Sequence, residues 1–294
     1  MQLIFELLIS GWLAPLLVCG GVTKLLLRSA NYSGFAASAG LAAAFLTAVM
    51  LLPWLTWLPQ SHWQWLPLLS VIAAIAGPAA QTIRSPRLRQ WLSIATAVSV
   101  SALAATVLVP NWPRLANDRL YYWLGCCVAM LLVSLLAKRA VPKIPPRTSV
   151  LSLTIIALAA SLLLFLGESL KFAQLGGILF ASGVGWWMAL TFDRRPSTRM
   201  SLENGAFAFC IVLVGLLLCG YLNSFSGIPA GCYMLIAGSP LAMLIGRAQP
   251  DGEAGSFDPV DPGHRLEDPV RFYAILVLPL LSAIVWGAFR VLSK

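Results

Sequence analysis

The sequence predicts an all-α integral membrane protein, a polytopic helical bundle of about ten transmembrane helices, several of them kinked by proline. Three observations carry this expectation. Hydrophobic residues make up 59% of the chain and charged residues only 11%, against roughly 25% charged in soluble domains, so a water-soluble fold could not cover its apolar surface. The apolar residues fall in runs of roughly 20, the length at which a helix satisfies every backbone N–H and C=O across the hydrocarbon layer. Lys and Arg gather between those runs, on alternate connections.

The first run, 3–27, begins close to Met1 but is read as a span and not as a signal peptide. It has no basic leader, only Gln2 and Glu6, and it exceeds the usual apolar core of a signal. Leu16-Leu17-Val18-Cys19 lacks the small residue that a lipoprotein cleavage box places before its cysteine. Runs 33–58, 65–83, 91–109 and 120–137 follow, separated by Pro, Ser, Asn and Arg. Lys138 to Thr148 is a basic, Pro-rich joint, after which come 149–167, 172–192, 205–225, 227–246 and 271–291. The connections at 168–171 and 225–227 are very short, and Gly167 and Gly227 make such reversals feasible.

With so much chain in spans, 1–294 is one transmembrane domain, and the basic joint divides it into candidate halves, 1–137 and 149–294. No inverted repeat relates them. The sole local echo, Ile75-Ala76-Gly77-Pro78 with Ile236-Ala237-Gly238-Ser239-Pro240, pairs runs of the same direction. The connection 247–270 holds Asp251, Glu253, Asp258, Asp261, Glu267 and Asp268 among Pro and Gly residues. Its acids lack the ligand spacing of a calcium-binding loop, so it is expected to be a solvated linker or a docking segment for a protein partner.

Short cytoplasmic connections carry the excess of Lys and Arg. Arg114, Arg119, Lys171, Arg290 and Lys294 fall on one side and the other fifteen basic residues on the opposite side. Both termini are therefore expected on the non-cytoplasmic side. Trp54, Trp57, Trp63, Trp65, Trp112, Tyr121, Tyr122 and Trp123 gather at the expected outer interface, the layer that aromatic rings with a polar edge prefer. The net charge of +9 is distributed as short clusters between apolar runs, which points to anionic lipid at the cytoplasmic face and away from nucleic acid. The six cysteines, Cys19, Cys126, Cys127, Cys210, Cys219 and Cys232, lie inside apolar stretches and read as packing residues, and no cofactor or metal site is expected.

Ionisable groups inside a bilayer are costly and point to function. Glu168 and Lys171, three residues apart, would meet on one face if a helix ran through the turn between their runs, forming a gate or ion site. An interfacial pair at a hairpin tip is the simpler reading. Glu203 and Ser201 stand at the entrance of run 205–225, where they could serve the helix N-terminus. Gly177, Ala181 and Gly185, and again Gly238, Ala242 and Gly246, have the four-residue spacing of a close-packing helix face. Pro15, Pro53, Pro78, Pro229, Pro240 and Pro279 interrupt or begin helices. Gly77-Pro78 and Ser239-Pro240 are binding or gating candidates, because each proline frees the carbonyl four residues back, that of Ala74 or Ile236. Ser239 or a neighbouring helix could instead satisfy those carbonyls in a purely structural kink.

Three function classes fit these features. A carrier or exporter of a small or lipophilic molecule is expected from the span count and kinked helices. A non-catalytic membrane subunit that scaffolds or assembles with partners fits the scarcity of buried charge. A membrane-embedded enzyme acting on lipid is the least supported, since no set of nucleophile, base and metal ligands stands out. The DRR at Asp193 to Arg195 reads as a cytoplasmic boundary.

Overall fold

The computed structural model describes residues 9–29, 32–79, 81, 83, 85–191, 197–224, 226–245 and 269–293, with the backbone alone at Ser10, Arg114, Thr191 and Ser197. Each apolar run becomes a helix: α1 (Ala14–Arg28, entered through a π turn at Ile9–Leu13), α2 (Ala36–Leu51), α3 (Leu66–Ala79), α4 (Pro86–Leu108), α5 (Arg119–Ala140), α6 (Pro146–Leu166), α7 (Leu170–Thr191), α8 (Ser197–Asn223), α9 (Ala230–Gly238) and α10 (Pro269–Leu292). No strand occurs among the described residues.

Eight of these helices are long and apolar enough to cross a membrane, fewer than the ten expected. The exceptions are α3 and α9. Within the run 65–83 the described α-helix is Leu66–Ala79, with Pro78 inside its last turn, so its 14 residues reach about 21 Å, short of a hydrocarbon core of roughly 30 Å. The run 227–246 starts late, behind Pro229, and its α-helix stops at Gly238, where Ser239–Leu244 continue as a 3-10 helix opened by Pro240. Proline removes the donor that an α-helix needs and its ring crowds the preceding turn. Pro15 in the first turn of α1 and Pro53 beyond α2 sit where helices tolerate them, while Pro279 lies inside α10.

The bundle is organised around α8, which is buried along nearly its whole length and packs against α2 through α7 and against α9. The outer helices α1, α4, α5 and α10 each keep an apolar face exposed, with Leu17, Val98, Leu132 and Val285 among the exposed side chains. Such faces suit contact with lipid tails, to which a buried core position and a lipid-facing position are equally apolar.

Glycine sets how closely the helices approach at α7. An added Cβ on Gly185 would stand 2.7 Å from the Leu16 carbonyl oxygen, and one on Gly177 would stand 2.6 Å from Trp12 Nε1, so this face presses against α1 and the π turn before it. Gly176 and Gly183 do the same against Ser161 and Thr154 of α6. The Gly177–Ala181–Gly185 face is thus a packing face. The second set is not: Gly238 has open space around it, the 3-10 segment destroys the four-residue period before Ala242, and Gly246 lies outside the described residues.

All six cysteines are free, and Cys19, Cys126, Cys210, Cys219 and Cys232 are buried. They fill the bundle as small apolar groups, with Cys19 Sγ 3.4 Å from the Ser182 carbonyl oxygen. Glu6, Arg84, Asp193 to Arg195 and the acidic connection through Asp268 lie outside the described residues.

Candidate functional site at the two ends of the central helix

Between Asn204 and Asn223, α8 carries no charged side chain and no amide; its buried residues there are Ala, Phe, Cys, Ile, Val, Leu and Gly, with Tyr221 near the end. At 1.5 Å per residue the two asparagines stand about 28 Å apart, close to the hydrocarbon thickness. The polar groups at the two ends therefore belong to opposite interfaces.

At the N-terminal end, polar residues of α8 receive the start of α2 and the break after α3. Asn204 is fully buried and donates through Nδ2 to the Gly34 carbonyl oxygen at 2.9 Å and to Gln81 Oε1 at 3.0 Å. Gln81 Nε2 returns a bond to Asn204 Oδ1 at 3.2 Å. The Ser201 hydroxyl oxygen accepts the Ala37 N–H at 2.8 Å, and Trp186 Nε1 of α7 donates to the Ala37 carbonyl oxygen at 2.9 Å. The Ser201 bond satisfies one of the N–H groups that a helix start leaves open, and the others give the buried amides and indole the partners a dry bundle requires. Thr198, buried beside them, keeps a hydroxyl with no hydrogen-bond partner among the described residues.

Lys138 belongs to the same end. Because α5 runs on to Ala140, its ammonium reaches into the bundle instead of a connecting loop. Nζ donates to the Gly77 carbonyl oxygen at 3.3 Å and to the Ser93 hydroxyl oxygen at 3.2 Å, and stands 5.9 Å from the centre of the Phe207 ring. Glu203 is near enough to act on it electrostatically. One half-buried cation thus joins α3, α4, α5 and α8 beside the last turn of α3.

At the C-terminal end, Asn223 Nδ2 donates to the Cys219 carbonyl oxygen at 2.7 Å and to His62 Nε2 at 3.0 Å. His62 opens the 3-10 turn His62–Trp65 ahead of α3, and its ring meets Trp112 edge to face with centroids 5.1 Å apart. Burial pushes the His62 pKa down to about 4. Nearby, the Ser224 hydroxyl donates to the Gly167 carbonyl oxygen at 3.2 Å, tying the end of α8 to the α6–α7 turn.

The residues singled out from sequence divide accordingly. Gly77 is in the Lys138 cluster through its carbonyl, with Pro78 next to it in the chain. The carbonyl freed by Pro78, that of Ala74, accepts the Ser38 hydroxyl at 3.1 Å, and the carbonyl before Pro240, that of Ile236, accepts the Ser239 hydroxyl at 2.6 Å. Glu168 and Lys171 do not meet: the helix does not run through their turn. Glu168 is exposed with φ 61°, taking the left-handed position expected of a glycine, while Gly167 caps α6 at φ −70°. Lys171 instead places Nζ 5.7 Å from the centre of the Trp63 ring. Sequence reading missed Lys138, Asn204, Gln81 and the His62–Asn223 pair. Their one available signal was that Asn204, Lys138 and Asn223 sit inside or at the rim of apolar runs.

Comparison of the chain with protein-family models, curated proteins and solved structures finds no match.

Proposed function

We propose that the chain is a membrane carrier or exporter of a small or lipophilic molecule, with α8 as its axis. One observation carries this reading: a single buried helix, apolar over about the hydrocarbon thickness, is tied at each end by polar side chains to irregular backbone. Lys138, Glu203, Asn204 and Gln81 form one tie and His62 with Asn223 the other. Polar closures at both faces around an apolar interior are what alternating access of an apolar cargo requires, and an ionisable group held inside the bundle is costly unless used. The test is removal of Hoechst 33342, a lipophilic fluorescent dye, from proteoliposome membranes under an imposed proton gradient. Transport by the unaltered protein that falls at least tenfold in Lys138→Met and Glu203→Gln, with folded yield unchanged, supports the carrier. No transport by the unaltered protein of this or related lipophilic dyes rejects it for that cargo class.

A second reading, a non-catalytic subunit that assembles with partners, has its own support. Both proline-freed carbonyls are occupied by hydroxyls of the chain itself and the α7 glycines are spent on helix packing, so neither kink nor stripe is left over for a substrate. Recovery of a stoichiometric membrane partner in mild detergent, together with absence of transport, supports this reading over the first.

A further inference from the structure

We infer that His62 is a proton-operated clasp, which holds the segment before α3 against the C-terminal end of α8 while its ring is neutral and releases it on protonation. The inference rests on the direction of one hydrogen bond. Asn223 Nδ2 gives its two hydrogens to the Cys219 carbonyl oxygen and to His62 Nε2. Turning the amide over would put Oδ1 against the Cys219 carbonyl oxygen, two acceptors facing each other, so the helix backbone fixes Asn223 as the donor. His62 Nε2 must then be the acceptor, with the ring proton on Nδ1. A proton added to Nε2 sets N–H against N–H and removes the bond, and the half-buried ring gains a charge without an acceptor at Nε2 among the described residues. Trp112 meets the ring edge to face, and the bond on which the added proton acts is the one to Asn223.

No neighbouring charge substitutes for this control. The segment 62–65 packs against α3, α4 and α8. Leu66–Ala79 contains no titratable residue, and α8 presents Cys219 and Tyr221 at this end. Lys171 approaches from the α6–α7 turn by way of Trp63, Glu168 lies three residues before it in sequence, and Arg114, Asp118, Arg119 and Tyr122 follow Trp112 in sequence. Burial is the cause of the low His62 pKa, not any of these groups. The sign follows. Because the clasped ring binds its proton more weakly than a released one, the clasp is fully stable above the ordinary histidine value of 6.5 and loses stability as pH falls from there toward about 4.

The chain has two histidines, His62 and His264, so the His264→Asn protein reports His62 alone. In lipid nanodiscs, 15N NMR of this protein should show a Nδ1–H ring that takes up its second proton near pH 4. A nitroxide on Ser61→Cys, in a background without the six native cysteines, should gain mobility with the same midpoint. Asn223→Leu should move the ring's midpoint upward and leave the label mobile at pH 7, and His62→Gln should abolish the pH step. Titration of the ring near 6.5, an Nε2–H tautomer at neutral pH, a ring that titrates without a change at the label, or a step that survives in His62→Gln each overturn the clasp. The ring titration needs no change within the clasp, so it decides even if the Asn223 or His62 variants do not fold.

Discussion

The hydroxyl oxygen of Ser38 on α2 stands 3.1 Å from two carbonyl oxygens, that of Phe35 and that of Ala74 on α3, the acceptor that Pro78 leaves without its helical donor, and its one hydrogen serves both. Ser38 and Ala74 are both buried. A neighbouring helix thus offers a donor in place of the one that proline removes from the last turn of α3.

Ser38→Ala should therefore cost about 1–3 kcal/mol, the cost of leaving a buried acceptor unpaired. In a Pro78→Ala background residue 78 regains an N–H for the Ala74 carbonyl, and the same serine substitution should cost much less. Thermal unfolding of the four proteins of this cycle in one detergent measures the coupling, and additive losses would show that the two sites do not share the carbonyl.

The contrast between two glycines checks the packing of α7. Gly185→Ala, whose Cβ would press on backbone atoms of α1, should destabilise by about 1–3 kcal/mol. Gly238→Ala, at φ −82° with open space around it, should stay within about 0.5 kcal/mol of the unaltered protein. Equal effects in thermal unfolding would contradict the close α1–α7 approach.

At the α6–α7 turn, Glu168→Gly should raise stability by up to about 1 kcal/mol, because glycine enters the left-handed region without the clash of a Cβ. Glu168→Gln keeps the Cβ and should change neither stability nor transport. Loss of transport in Glu168→Gln at unchanged yield would support the gate role that the sequence spacing suggested.

Orientation is testable with single thiols in a background lacking the native cysteines. Ser61→Cys and Asn117→Cys should react with an impermeant thiol reagent from outside, and Ser197→Cys and Ser256→Cys should not, as the alternation of basic residues expects. The first pair brackets α3 and α4. Reaction of one of these two alone would mean that the short α3 does not carry the chain across.

The helices were legible in the sequence because backbone burial in lipid leaves one solution, and each apolar run indeed became a helix. What periodicity could not show was where α3 and α9 stop, since Gly77-Pro78 and Gly238-Ser239-Pro240 act through local geometry that depends on neighbours such as Ser38. The alternation of basic residues placed Lys138 in a connection, because a count of charges does not see that α5 continues through it. Asn204 with Gln81 and His62 with Asn223 are 123 and 161 residues apart, pairings that only tertiary structure brings together. Glu168 and Lys171, by contrast, were conspicuous through short spacing that the turn does not use.

The central position of α8 bears on how the protein is made. Six of the helices it packs against, α2 through α7, precede it in the chain. During synthesis those helices enter the membrane before their common partner exists, and the place α8 will occupy is bordered by side chains of which Ala37, Leu66, Leu108, Met130 and Leu164 are buried in the finished protein. Until α8 arrives, lipid tails or the insertion machinery must line that slot. Chains that end before Ser197 should accordingly be rapidly degraded in cells, whatever the fate of the protein's activity.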